Sequence, residues 1–223
     1  MAKKQSKNTQ ETFEVESVPV AFVEKHKKLL VCAIVAIVAI VACVILYSNY
    51  STRRAEEAAD AISKCQNYFD QGNYDKALNG DGQGCIGFLA VIDDFGSTKS
   101  GNLAHLYAGI CYAQQEKWED AREQLEAFSQ EDDQMVSPQS LSALAAVYAN
   151  LGQTDKAIEF YLKAAHKADN STVSPFNLKQ AGILYESLGN TDKALECYRQ
   201  IKSKYIETPE AADIDKYIER LSK

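Results

Sequence analysis

The chain has 223 residues and a formal charge of −7, spread unevenly: 1–28 hold six Lys against four Glu, 29–47 carry no charge, and 48–223 hold 18 basic against 27 acidic groups, or −9. A segment this acidic is excluded as a reader of nucleic-acid backbone, which needs clustered Lys and Arg. Its 176 residues suffice for one domain with its own core.

Residues 1–28 are polar, and their apolar groups (Phe13, Val15, Val18, Val20 and Phe22) are too sparse to bury a core. They read as a flexible basic cytoplasmic tail, with room for a short juxtamembrane helix over 17–28. From Leu29 to Tyr47 the sequence is LLVCAIVAIVAIVACVILY, without charge, Gly or Pro. Crossing about 30 Å of hydrocarbon takes about 20 residues at ~1.5 Å each, and only a helix satisfies its own backbone in lipid. A core helix of this length normally shows a polar face, and this run has none. The run is too long for a cleaved signal peptide, and the Ser48-Asn-Tyr-Ser-Thr-Arg-Arg54 that follows holds no Ala-x-Ala. An uncleaved signal anchor is expected. The Lys-rich tail puts the N-terminus in the cytoplasm and the acidic domain outside, in the periplasm of a double-membraned bacterium.

After the span, Thr52–Asp70 is Ala-rich and helix-forming, with Ala55, Ala58, Ala59, Ile62, Cys65 and Phe69 on one face. The sequence then repeats: Gly72-Asn-Tyr-Asp-Lys-Ala77, Glu116-Lys-Trp-Glu-Asp-Ala121, Gly152-Gln-Thr-Asp-Lys-Ala157 and Gly189-Asn-Thr-Asp-Lys-Ala194. Upstream of each stands a small residue three before a Tyr: Cys65 and Tyr68, Gly109 and Tyr112, Ala145 and Tyr148, Gly182 and Tyr185. Gly152 and Gly189 suit left-handed helix ends. Thr154 and Thr191 read as the N-caps that follow, with Asp155 and Asp192 at the positive end of the next helix dipole. Ser137-Pro138, Ser174-Pro175 and Thr208-Pro209 each put a hydroxyl before a first-turn Pro, starting two further helices and a last one at 209–221. The small residues Ala145, Ala157, Gly182 and Ala194 let paired helices approach, with the Tyr side chains filling between pairs. No stretch alternates with period two, so no sheet is expected.

This small-x-x-Tyr, Gly, Ala, aromatic pattern resembles the tetratricopeptide repeat from Ala55 to about Tyr205. It implies an all-α fold: one N-terminal transmembrane helix, then a helical-repeat solenoid with repeats near 55–95, 102–135, 138–170 and 175–206, closed by a capping helix at 209–221. The first repeat departs from the pattern, because Asn79-Gly-Asp-Gly-Gln-Gly84 interrupts its second helix.

Little in the chain promises chemistry, and no enzyme is expected. Gly82-Gln-Gly84-Cys-Ile-Gly87 matches the G-x-G-x-x-G string, yet a dinucleotide site needs it between a strand and a helix. His26, His105 and His166 have no second ligand or base at helical spacing, so neither a metal nor a triad is read from them. Asp93-Asp94 and Glu131-Asp132-Asp133 read as solvated loop acids, and Trp118 as a structural aromatic in the slot of Tyr74. The cysteines lack CxxC spacing. Cys32 and Cys43 fall in the span, and the others read as small buried apolar residues, with a Cys65–Cys85 bridge as the option in an oxidising compartment. No cofactor, metal, nucleic acid or small-molecule substrate is expected.

Binding remains. In repeats of this type the first helix of each pair lines a concave groove. The resemblance transfers that role to Leu103, Leu106, Ile110, Ala146, Phe176, Lys179 and Ile183, unless neighbouring helices cover them. Lys179 stands alone among apolar groups, against a clamp for chaperone C-terminal carboxylates, while the apolar groove suits a helix or an extended segment. With its Lys-rich tail, signal anchor and acidic repeat domain, the chain resembles the YfgM-like family of ancillary Sec translocon subunits. That resemblance implies a bacterial inner-membrane protein that associates with SecYEG and a membrane-anchored periplasmic prolyl isomerase and helps hand over emerging nascent chains. The alternative is a scaffold for an envelope or outer-membrane assembly complex.

Overall fold

The structure, a computed structural model, describes residues 20–222, so most of the expected tail lies outside the described residues. Contacts divide the chain into two units, Met1–Ser51 and Thr52–Lys223. Helix α1, Val20–Asp70, supplies the described part of the first unit and opens the second. In the first unit Leu29, Val31, Ile34, Ile40 and Leu46 are all exposed. This helix is long and apolar enough to cross a membrane by length and composition.

The second unit is a stack of helices, and no strand occurs among the described residues. Its members are the last turns of α1, α2 (Tyr74–Asn79), α3 (Phe88–Phe95), α4 (Lys99–Gln114), α5 (Trp118–Ala127), α6 (Val136–Asn150), α7 (Thr154–Ala168), α8 (Ser174–Ser187), α9 (Thr191–Lys204), α10 (Pro209–Ala212) and α11 (Ile214–Leu221). Four pairs, α1/α2, α4/α5, α6/α7 and α8/α9, are each joined by a three-residue turn. The middle residue of every turn is left-handed: Gly72, Glu116, Gly152 and Gly189, at φ 72°, 59°, 73° and 71°. The next residue donates its N–H to the carbonyl of a tyrosine five positions back, at 2.8, 3.0, 2.9 and 2.9 Å for Tyr68, Tyr112, Tyr148 and Tyr185. These are the four tyrosines of the repeat pattern, and their carbonyls close a Schellman-type helix end.

The caps differ from expectation. Thr154 and Thr191 are first helical residues, and the N-caps are Gln153 and Asn190. The αL residue already places the cap one position earlier, and Asn190 accepts from the Lys193 N–H at 3.4 Å. At the other boundaries Ser137 and Ser174 lie inside their helices. Their hydroxyls donate backward, to Glu131 O at 3.1 Å and Ala165 O at 2.7 Å. The free N–H groups are instead met by Asp133, which accepts from Met135 and Ser137, and by Asn170, which accepts from Thr172 and Val173.

Close approach within pairs is as expected. Ala145, Ala157 and Ala194 have no exposed surface. A Cβ at Gly109 would meet Leu125 Cγ at 2.5 Å, and one at Gly182 would overlap the Tyr198 ring, with Cζ at 2.8 Å. On α1 the buried face is Ala58, Ile62 and Cys65 with Phe69 half-buried, whereas Ala55 and Ala59 are exposed. The final helix is broken: α10 ends at Ala212, Asp213 intervenes, and α11 packs Ile214, Tyr217, Ile218 and Leu221 with the cluster around Tyr198 and Ile201.

The first repeat carries its interruption openly. Between α2 and α3 the chain makes a loop through Gly80, Gly82 and Gly87, all at positive φ. Asp81 organises it by accepting from the N–H groups of Gln83 and Gly84 (both 2.8 Å), Cys85 (3.0 Å) and the Tyr68 hydroxyl (2.9 Å). A Cys65–Cys85 disulfide, with Cα atoms 4.8 Å apart, ties the loop to α1. The G-x-G-x-x-G string is thus a helix-to-helix loop with no strand before it. Asp93 and Asp94, read as loop acids, lie within α3 and are exposed.

Candidate protein-binding groove

The seven groove residues separate into four groups. Ile110 on α4, Ala146 on α6 and Phe176 on α8 line one recess of about 430 Å³, within the ~300–1,000 Å³ range of ligand pockets. Phe176 is 43% exposed, large for a bare aromatic. Leu103 is half-buried and lines a second recess of about 360 Å³ with Phe128, Met135 and Val136. Lys179 and Ile183 line neither: the Lys179 ammonium stands 5.1 Å over the Tyr217 ring of α11, and Ile183 is exposed. Leu106 is a correction, because it is 5% exposed in the core with Ala121, Leu125 and Leu144 and offers nothing to a partner. Its register on α4 faces α5 and α6 instead of the open side.

The Ile110 recess also draws on residues outside the seven groove positions. Ala143 comes from α6, Tyr161 from α7, Thr172 and Val173 from the turn before α8, and Asn177 from its first turn. Gln139 and Ser142 complete it, so every side chain in the lining is neutral. It is a neutral patch in a domain of net charge −9. Tyr161 is 6% exposed and burial pushes its phenol pKa upward. Asn177 is 1% exposed and donates its Nδ2 to Val173 O at 2.8 Å, which leaves Oδ1 without a partner. Tyr161 stands at the aromatic position of the third repeat's pattern, and no periodicity distinguishes an Asn buried in the first turn of α8.

Two other buried tyrosines are tied down. Tyr148 donates to Glu126 and Tyr198 to Glu186, the latter at 2.5 Å. Burial together with the Glu126 carboxylate pushes the Tyr148 phenol up to about 12. The free thiols Cys111 and Cys197 are buried and pushed up to about 12 and 11 by desolvation, so they are inert at neutral pH. His105 shares a hydrogen bond with Gln124 at 2.9 Å. Among the described residues no three of His, Cys, Asp and Glu gather as a metal set.

A family model of the tetratricopeptide repeat-like domain matches residues 21–212. The chain belongs to that family. Two solved structures of nearly identical TPR-like repeats, described as a putative kinesin light chain of Podosopora anserina, are similar to it, one of them carrying a single substitution. Each has a TM-score of 0.57 at 16% identity and covers 74% of this chain, with 84% and 85% of its own length matched. At that identity the likeness speaks for the repeat fold. No curated protein matches the sequence. A tetratricopeptide repeat-like domain of this kind is a scaffold for protein–protein contact.

Proposed function

We propose that this chain is a single-pass membrane-anchored protein-binding subunit, with 29–47 in the bacterial inner membrane, the N-terminus in the cytoplasm and the repeat domain in the periplasm. Its partners are the SecYEG translocon and a membrane-anchored periplasmic prolyl isomerase. It assists chains emerging from the channel and performs no chemistry of its own. The observation that carries the reading is the neutral, largely apolar recess at Ile110, Ala146 and Phe176. An emerging, unfolded chain offers such a recess uncharged apolar segments that a folded protein would hide.

Two further observations support the placement. The large apolar side chains of 29–47 are exposed along a whole helix, and lipid is the cover that such a surface needs. The Cys65–Cys85 disulfide suits the periplasm, where such bonds persist, and not the reducing cytoplasm. The translocon itself enters through the resemblance of tail, anchor and acidic repeat domain to the YfgM-like family.

A photoreactive residue at position 176 of the full chain, in inner-membrane vesicles engaged in export, is expected to crosslink translocon, isomerase or emerging chain. The same group at the buried Leu106 is expected to crosslink none. Recovery of outer-membrane assembly factors in their place would replace the reading with the envelope scaffold. Protease treatment of spheroplasts should digest 48–223 without lysis, and protection there would overturn the topology.

A further inference from the structure

We infer that the recess between α6 and α7 at Phe160 is a second docking site, which takes an acidic segment of a partner protein. One apolar side chain of that segment rests on Leu141 and Phe160, and its flanking carboxylates pair with Lys163 and Lys167. The recess is about 610 Å³, and Gln130 and His166 complete its lining. It shares no residue with the Ile110 recess or with the one at Leu103, and none of the seven groove residues lines it. The site is therefore separate from the groove, and the translocon reading does not depend on it.

Helical spacing builds this face. Lys156, Phe160, Lys163 and Lys167 stand at i, i+4, i+7 and i+11 on α7, along one stripe of the helix. Phe160 stacks on Tyr148 with ring centroids 5.3 Å apart, and Tyr148 is itself buried with its hydroxyl on Glu126, so the aromatic floor is held in place. Lys163 Nζ stands 4.9 Å over the Phe160 ring and Lys156 Nζ 4.8 Å over the Tyr148 ring. No acidic side chain lines the recess, although the domain around it has a net charge of −9. Of the acids near by, Glu159 pairs with Lys163 at 2.6 Å, and Asp169, within electrostatic reach of His166, is held by Lys204. The Lys163 and Glu159 side chains are 54% and 57% exposed, so exchanging that pair for an incoming carboxylate costs little. Among the described residues Lys167 is in no ion pair.

Cations rimming an apolar floor are complemented by carboxylates flanking an apolar side chain. An anionic bilayer is a poorer match, because it meets the whole domain and is repelled by its net negative charge. A short segment feels only the charges within a Debye length, about 8 Å at physiological ionic strength. The test uses the full chain in phosphatidylcholine nanodiscs, with empty nanodiscs as the blank, and fluorescence anisotropy of a labelled blocked heptapeptide, Ser-Asp-Glu-Leu-Glu-Asp-Ser. Saturable binding is expected. Lys163→Gln combined with Lys167→Gln should weaken it about five- to tenfold, and the thermal midpoint should stay in place because the lysines make only exposed contacts. The charge-matched pair Lys64→Gln and Lys216→Gln, on α1 and α11, should leave binding unchanged. Added salt should weaken the wild type more than the Lys163/Lys167 variant. The peptide with its carboxylates made amides, and the one with Ser in place of Leu, should each bind more weakly.

No binding of the acidic peptide, equal affinity for its amide form, or equal losses in the two double variants would overturn the inference. So would phosphatidylglycerol vesicles that displace the peptide and lose their own binding in the Lys163/Lys167 variant, which would make the face a lipid contact. Self-association of the chain abolished by that variant would assign the face to a second copy and overturn it as well. If the Leu-to-Ser peptide binds as tightly as the parent, the floor at Leu141 and Phe160 plays no part and the inference falls.

Discussion

The first repeat and the fourth begin alike and are finished by different means. Both turn through a left-handed glycine, Gly72 or Gly189, after a helix whose tyrosine carbonyl closes the turn. In the fourth, the two helices meet face to face: Gly182 lets the Tyr198 ring lie against the backbone of α8. Tyr198 is then fixed by Glu186, which Arg220 of α11 also grips at 2.8 and 2.6 Å. In the first, α2 stops after six residues, too few to bury a comparable face. The missing helix is replaced by a covalent tie, an aspartate-organised loop and the separate helix α3. Packing on small residues needs length, and a shortened helix needs a tie that does not depend on area.

The largest break in that comparison is expected at the tie. Changing both Cys65 and Cys85 to Ser releases a loop with a sequence separation of 20, which should cost about 3 kcal/mol. Hydrogen exchange of the full chain in micelles should show the loss in 74–95 and leave α8 and α9 protected. Even loss across all repeats would mean that the first repeat is not an independent unit of stability. Next comes Gly182→Ala, where the added Cβ meets the fully buried Tyr198 ring, whose hydroxyl Glu186 holds; about 2 kcal/mol is expected from overpacking. Gly84→Ala in the first-repeat loop meets nothing within 4 Å and should change the unfolding midpoint little.

The second repeat offers a smaller effect of opposite sign. Glu116 holds the left-handed position that glycine holds in the other three repeats, and a side chain there costs roughly 1 kcal/mol. Glu116→Gly should therefore stabilise by about that amount, and Gly189→Ala, open to solvent but at φ 71°, should destabilise by a similar amount. Denaturant midpoints for both variants decide it, and a destabilised Glu116→Gly would sink the argument that the four turns are equivalent.

The left-handed turns at Gly152 and Gly189, the small-residue contacts and the interruption of the first repeat were legible because each shows as particular residue types at particular spacings. The caps were not. Thr154 looks like a cap in sequence, yet the turn geometry fixes the cap at Gln153, and the N–H groups ahead of α6 and α8 are met by Asp133 and Asn170 from preceding loops. The groove was legible only in part. Helical spacing brings Ile110, Ala146 and Phe176 together, but whether Leu106 turns inward depends on how α5 and α6 meet α4. Asn177 escapes pattern reading, because no periodicity marks an Asn buried in the first turn of α8.

Acid gives the finest test of the first repeat's substitute helix. Asp81 accepts three backbone N–H groups and the Tyr68 hydroxyl, and those bonds, led by Gln83 and Gly84, hold its carboxyl well below the usual carboxylate range. A carboxylate whose folded pKa lies below the unfolded value of about 3.9 contributes its stability above that value and loses it as pH falls toward the folded pKa. The loop should therefore tighten above pH ~4 and loosen below it. Asp133 and Asp169 are also lowered, so the whole domain loses stability in acid, and only a local readout isolates Asp81. Amide exchange at Gln83, Gly84 and Cys85 supplies one. In Asp81→Asn the side-chain oxygen still accepts but carries no charge, so protection of these three amides should be lower at neutral pH and nearly independent of acid. A wild-type profile that matches the variant's would show that the disulfide alone holds the loop.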